Sequence, residues 1–516
     1  MSDDNENNSD KPTIAGLDNA DALTIIGTLV DHAFDTENPT LIDHVMTLAD
    51  ELEARELSSE ELATLDYFRA NGWDCRWQPR RNDSEHVWDW EQTEVREQVF
   101  LLRRALNSSA FNALPLRRRC EILTNLANQL DKLGRFVEAR EYWTRAIALD
   151  PNFWMARANR GHGATFYMRA LYDPGHQGVF ALHAHGDLMG AAELVERYPM
   201  LGDWRLQSTF VDQAREIADH VDLEWVEKAH KSDGWDMGES AAERAYRKWC
   251  VDNVLFLNPL NDIEQTSVAA RDILGLPNFI TPIDEPPIVI GMANELKQAF
   301  VSARWLLWEG CDGDAPHFSD RDVLLYNTLD YPCYGLLVEK VKIAYRMAYS
   351  TLDKIAYFLN HYLALGIPEN RVGFRTVWRD KPKGPIRDRF AKSENWPWRG
   401  LFWLSKDFFE DDMRESTEPD ARAVASLRNH LEHKYVKVLE WVSSEAPGYD
   451  PFYDTLAHTI SRSDLERRTL RLMKLVRAAL IYLFLGMHRE ERQRGVGKSG
   501  LTAPMPLDPW LDEWKR

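Results

Sequence analysis

Cysteine is scarce in this 516-residue sequence, with five residues at 75, 120, 250, 311 and 333 and no CxxC pair among them. That scatter excludes a zinc ribbon and a disulfide-dense scaffold, and predicts buried thiols in a reduced, cytoplasmic setting. Long apolar runs are missing too. Ala478 to Met487 (AALIYLFLGM) is too short to span a bilayer, and residues 1–13 are polar and acidic, so neither a membrane span nor a secretory leader is expected. A phosphate-cradling loop is also absent: GVGKSG near the C-terminus has neither the spacing nor the preceding strand.

Positive charge is in deficit, and unevenly so. The formal net charge is −20, and residues 1–70 carry 17 Asp/Glu against three Lys/Arg. Residues 371–399 reverse the balance, with nine Lys/Arg against three acids. A polyanion is attracted to the second segment and repelled by the first. Arg371, Arg375, Arg379, Lys381 and Lys383 are therefore candidate substrate contacts. Phe374, Trp378, Trp396 and Trp398 lie among these cations, where aromatic faces can stack on exposed bases or equally fill a core.

What is abundant is helical periodicity, and the expected fold class is all-α. The length calls for two or three domains, and the 19 tryptophans suit the space between helices. Residues 1–20 read as a disordered acidic N-terminus and 21–90 as an acidic helical region of three short helices with a Trp-rich joint at 73–90. Helical repeats follow over 91–250, then a Pro-rich, irregular connector with an edge strand or two over 251–290. A helical bundle occupies 291–495 and a tail 496–516. The acidic region is expected to restrain access of a polyanion.

Within the repeats, Leu123, Leu126, Ala127 and Leu130 form one helix of a unit, Gly134 and Phe136 its turn, and Ala139, Trp143 and Ala146 the second helix, ended by Pro151. Over 120–153 this fits a 34-residue tetratricopeptide unit. A second unit begins at Gly161 and drifts from pattern, and a helix pair is expected before it at about 93–117. Stacked pairs leave a concave surface for an unknown protein or trigger. His162, His176, His183, His185 and Asp187 make a histidine-dense patch. On an extended segment His183, His185 and Asp187 can alternate as metal ligands; helix capping in a degenerate repeat is the reading taken, so no metal and no cofactor are called for. Asn258 to Asp262 reads as a structured turn.

In the bundle, helices are expected near 292–309, 320–330, 334–365, 398–411, 419–442 and 462–493. The basic side of the last is expected to extend the positive surface. Glu339, Lys342 and Asp353 serve either as structural partners or to orient chemistry on the 419–442 helix. That helix carries Arg428-Asn429-His430-Leu431-Glu432-His433. At about 100° per residue, Asn429 and His433 share a face with Arg428 beside them. A fixed cation, an amide and an imidazole in one place are the parts for phosphodiester cleavage without metal.

Arg428-Asn429 followed by His433 resembles the R-x4-6-H motif of the HEPN superfamily. The segments 321–367, 398–409 and 426–435 are similar to its bacterial branch in which a HEPN domain follows tetratricopeptide-like helices. The resemblance covers roughly 291–495. It implies a bundle that forms a homodimer, with the motif helices of two protomers facing one cleft. It also implies a toxin or defence effector that cuts RNA (tRNA being one candidate), with the 2′-hydroxyl as nucleophile. His433 would then be the acid/base, Arg428 would bind the scissile phosphate, and Asn429 would position substrate or His433. Non-catalytic members of the superfamily imply the alternative of an interaction or nucleotide-binding scaffold.

Overall fold

The computed structural model describes residues 12–80, 83, 86–198, 204–232, 236–281, 285–313, 316–326, 328–381, 384–410, 427, 431, 434–440, 456–495, 512 and 515. Among them are sixteen α-helices and two strands, so the all-α class holds. The chain begins with α1 (Asn19–Asp35), α2 (Pro39–Glu53) and α3 (Ser59–Trp77). Asp18 caps α1 by accepting from the Asp21 amide at 2.9 Å, and Ser58 and Glu61 form a reciprocal capping box on α3. These three are the helices expected from the N-terminal periodicity. Asp66 and Glu53 both bind Arg104 of α4 (Thr93–Leu106), joining them to the repeats.

The repeat series continues with α5 (Leu116–Lys132), α6 (Phe136–Leu149), α7 (Trp154–Ala170), α8 (Pro174–Arg197), α9 (Trp204–His220), α10 (Leu223–Ser232) and α11 (Ala241–Asp252). The unit at α5–α6 forms as its spacing predicts. Leu123, Leu126, Ala127, Leu130, Ala139, Trp143 and Ala146 are all buried, and Gly134 turns the corner with φ +89°. The pair expected at 93–117 is different. Only α4 forms there, followed by a 3-10 turn at Phe111–Ala113, and α4 packs instead on α3.

The irregular segment after α11 contains no strand among the described residues. Its Asn258 to Asp262 stretch is the structured turn expected: Asn258 caps a 3-10 turn, Pro259–Asp262, and both Asn258 and Asn261 are buried with their amides bonded to backbone carbonyls. The bundle then consists of α12 (Ile288–Cys311), α13 (Leu336–Tyr362), α14 (Asp388–Ala391), α15 (Trp396–Phe409) and α16 (Arg462–Gly495). The expected helix at 320–330 does not form. Asp320 instead accepts from the Leu336 amide at 3.0 Å to cap α13, and Asp322 and Leu329 take positive φ, which breaks helical continuity.

The expected helix at 419–442 is corrected over 435–439; within that span only 427, 431 and 434–440 are among the described residues. Leu427 and Leu431 are helical and buried, but Tyr435–Leu439 is a strand, β1, paired in parallel with β2 (Ala457–Ser461). Tyr435, Val436 and Val438 are β-formers, and Val436 and Val438 are buried two residues apart, a period of two rather than 3.6.

Repeats and bundle share one core. Gly134 and Gly400 meet backbone to backbone; a Cβ on Gly134 would lie 2.0 Å from the Trp396 carbonyl oxygen, and one on Gly400 would lie 2.2 Å from the Gly134 carbonyl oxygen. Trp403 donates to the Trp90 carbonyl at 2.9 Å, and Trp90 donates to the Ser393 carbonyl at 2.8 Å while its ring packs on Trp378, Phe390 and Phe402. Below them Asp407 of α15 binds Arg103 of α4 at 2.7 and 2.9 Å and also Arg135 at the α5–α6 turn, with all three side chains buried. Glu138 binds Arg135 and accepts from the Tyr482 hydroxyl of α16 at 2.9 Å. Burial alone would raise the Asp407 carboxyl, but the two guanidiniums hold it below the usual carboxylate range. Asp407→Ala leaves two buried cations short of their partner. The expected loss is about 3–5 kcal/mol of unfolding free energy, measured by urea denaturation; a loss under about 1 kcal/mol would show that the pair carries little of the junction.

Candidate functional site

Arg428, Asn429 and His433 lie outside the described residues; their described neighbours in sequence are Leu427, Leu431 and residues 434–440. Leu427 and Leu431 anchor the segment in the bundle, and the Leu431 carbonyl accepts from the Arg346 guanidinium of α13. The chain then enters β1, whose edge is covered by the strap 328–334: the Cys333 amide donates to the Val438 carbonyl at 2.7 Å, and Lys437, itself buried, binds Asp330. At the end of β1, Glu440 lies 3.7 Å from Arg462, the first residue of α16, and accepts from the Cys333 thiol at 3.4 Å. Arg346, Lys437 and the two strands were missed by the sequence reading. The alternating Val436 and Val438 were the available signal, since residues two apart diverge by about 200° on a helix and share a face only on a strand.

The strap and the residues just before it are unusual in their exposure. Leu324, Tyr326 and Tyr331 are 77%, 81% and 76% exposed, and Leu456, just before β2, is 79% exposed. Singly exposed apolar residues are ordinary; this many between 324 and 331 is not.

The basic segment divides in two. Arg371, Arg375 and Lys381 are exposed, whereas Arg379 is half-buried and bound to Glu91 with Glu410 at 3.5 Å; Lys383 lies outside the described residues. Phe374, Trp378 and Trp398 are fully buried, with Trp378 donating to the Phe374 carbonyl at 2.8 Å, so these rings are core rather than base-stacking platforms. Arg477 of α16 is likewise interior, binding the carbonyls of Phe256 and Asn258 and, at 2.6 Å, Asp262, instead of extending a positive surface. Lys342 pairs with Glu339 at 2.8 Å, and Asp353 accepts from the Phe374 amide at 3.0 Å, which gives these three residues structural partners.

His183, His185 and Asp187 sit on α8, not on an extended segment. Two residues apart on a helix, His183 and His185 diverge by about 200°. Asp187 is held by Arg160 at 2.6 and 2.7 Å, and burial lowers the His183 pKa. Among the described residues no group of three or more His, Cys, Asp or Glu is placed to hold a metal ion, and no helix is long and apolar enough to cross a membrane.

The architecture is that of a helical-repeat protein whose repeats are docked on a C-terminal helical bundle. Comparison with family models identifies the parts: residues 280–490 match the LA2681-like HEPN model and residues 120–153 match the tetratricopeptide repeat model. The chain thus joins a tetratricopeptide repeat to an LA2681-like HEPN domain. The HEPN match takes in α12 to α15, both strands, most of α16 and the Arg428-to-His433 segment. No curated protein and no solved structure matches the chain.

The Lys437–Asp330 contact generates a pH test. The bond from Lys437 holds Asp330 below the usual carboxylate range, so its stabilisation is present above the ordinary Asp pKa of about 4 and is lost as pH falls through the lower folded value. Lys437→Met should lower stability more at pH 7 than at pH 3 in urea denaturation. An equal loss at both values would assign the effect to packing alone.

Proposed function

We propose that the chain is a metal-independent RNA endonuclease of the toxin or defence-effector kind, acting in the cytoplasm as a homodimer through its HEPN domain. The observation that carries this reading is the R-x4-H spacing of Arg428 and His433, with Asn429 after the arginine, inside a span that matches a HEPN family model. In this mechanism a His433 imidazole takes the proton of a ribose 2′-hydroxyl, whose oxygen attacks the adjacent phosphorus. The P–O5′ bond breaks, and the leaving oxygen takes a proton from an imidazolium, leaving a 2′,3′-cyclic phosphate and a 5′-hydroxyl. Arg428 binds the phosphate as negative charge builds on its oxygens, and Asn429 positions the ribose or the imidazole.

Two such motifs facing one cleft supply base and acid separately. The exposed Leu324 and Tyr326, with Tyr331 of the strap, support association with a second copy, because exposed aromatic and aliphatic side chains are stabilised when covered. Arg371, Arg375 and Lys381 offer exposed positive charge for RNA, and the reading extends this role to Lys383. Arg379 contributes less to it, being bound to Glu91. Regulation by the repeats is supported by the junction itself, since α15 of the bundle sits directly on the α5–α6 turn.

Incubation of total RNA and tRNA with the full chain in EDTA should yield fragments ending in 2′,3′-cyclic phosphate. His433→Ala and Arg428→Ala should each reduce cleavage at least about 100-fold without a change in folding, as expected for loss of an acid/base or a phosphate-binding group. Cleavage that needs a divalent ion, leaves 5′-phosphates or survives His433→Ala would contradict the mechanism. An inert wild type that is also harmless to cells when induced would favour a scaffold of repeats and HEPN domain.

A further inference from the structure

His433 lies in the chain between two places that are held from outside, and the nearer is held by a single arginine. Leu427 and Leu431 are helical, whereas Tyr435–Leu439 is strand β1. In a helix that continued, the Leu431 carbonyl would accept from the amide of Tyr435, four residues on. That residue is in β1 instead, so the carbonyl belongs to a helix end, where acceptors are left over and carry partial negative charge. The Arg346 guanidinium of α13 donates to it. A cationic donor suits such a carbonyl best, because the hydrogen bond is charge-assisted and the helix end is negative.

The second place is β1 itself, where the Cys333 amide donates to the Val438 carbonyl at 2.7 Å and Lys437 binds Asp330. Both holds trace back to α13. Arg346 stands on that helix next to the buried Tyr345, and the strap runs directly into its first turn, which Asp320 caps. Two residues of chain, about 7 Å at full extension, separate His433 from Leu431, and four separate it from Lys437. The backbone that carries His433 is therefore bracketed by two points fixed to one rigid element.

Arg346 differs from the arginines that hold the core. Arg103, Arg135 and Arg477 are buried in ion pairs, and removing any of them strands a buried carboxylate. Arg346 is exposed, so its removal leaves no buried charge unpaired and the fold does not depend on it. What does depend on it is the placement of one turn. Reacting groups must be held to within about 0.5 Å, and a displacement of about 1 Å can cost on the order of 100-fold in rate.

We propose that Arg346 is a positioning residue for RNA cleavage. By holding the Leu431 carbonyl it fixes the segment between Arg428 and His433, and so the spacing of guanidinium and imidazole about one phosphate. Arg346 acts through the backbone: it transfers no proton and binds no substrate. The proposal rests on the RNA-cleaving reading of Arg428 and His433, and adds to it a residue from another helix.

Steady-state cleavage of tRNA by the full chain in EDTA, together with hydrogen exchange of the same proteins, tests this on wild type, Arg346→Met and Arg346→Lys. Arg346→Met should lower kcat at least about tenfold and leave KM within about twofold, because RNA still binds while the reacting groups are no longer held. Arg346→Lys keeps a cationic donor and should recover most of the loss. Both variants should melt within about 4 °C of wild type. Exchange in Arg346→Met should rise in peptides covering 427–434 and stay unchanged in α15. A wild-type kcat in Arg346→Met, a change confined to KM, or a loss that lysine does not restore would overturn the positioning role and leave the RNA-cleaving reading in place. The exchange measurement needs no substrate: equal exchange over 427–434 in Arg346→Met and wild type overturns the proposal whether or not the wild type cuts RNA. An inert wild type whose 427–434 exchange still rises in Arg346→Met counts instead against the RNA-cleaving reading, and supports the hold of Arg346 on the segment.

Discussion

Asp407 lies with both carboxylate oxygens between Arg103 and Arg135, two arginines more than 270 residues away in sequence, and all three are out of reach of water. A buried carboxylate and two buried guanidiniums are each intolerable alone, so none of the three can be exposed to the interior without the others. The geometry of the neighbourhood follows from satisfying them. Arg135 must stand at the α5–α6 turn, which needs the left-handed backbone of Gly134, and Gly134 in turn lets the backbone of α15 approach at Gly400. Glu138 completes the set by binding Arg135 and the Tyr482 hydroxyl, which brings in α16. A tetratricopeptide corner that would otherwise face solvent is thereby fused to the HEPN domain.

That fusion changes what the repeats can be for. Repeat helices cannot bury their apolar faces alone and need a neighbour on each side. Here the neighbour on one side is the bundle, through Phe136 packed on Trp396 and Tyr482 at centroid distances of 4.5 and 4.8 Å. A partner that docked on this corner would have to displace α15. Beside this corner lies a cavity where α5, α15 and α16 face one another.

Much of this was legible in the residues, and the reasons are specific. The α5–α6 unit could be placed because small residues at 127, 139 and 146 with a glycine at 134 suit two closely packed helices and little else. The helices α13 and α16 could be placed because their apolar stripes run for many turns. The segment 320–330 misled for the opposite reason: Val323, Leu324, Leu325 and Tyr326 are apolar without being core, and a sequence does not say which apolar residues stay exposed. The strand at Tyr435–Leu439 was lost because the helical spacing of Leu427 and Leu431 was carried on past His433, although Val436 and Val438, two residues apart, fit a strand rather than a helix. The tryptophans of 371–399 could not be divided between core and RNA surface until Trp90, some 290 residues earlier in the chain, was seen to pack on Trp378. Long-range pairs such as Asp407 with Arg103 leave no local pattern at all.

The claim on which the rest turns is that repeats and HEPN domain form one cooperative structure through the Asp407 junction. Hydrogen exchange followed by mass spectrometry across a urea series measures this directly, comparing peptides from α5–α6 with peptides from α15–α16. The account predicts that both sets lose protection together, at one denaturant midpoint and with one slope. Separate midpoints, with the repeats opening while α15 and α16 stay protected, would contradict it.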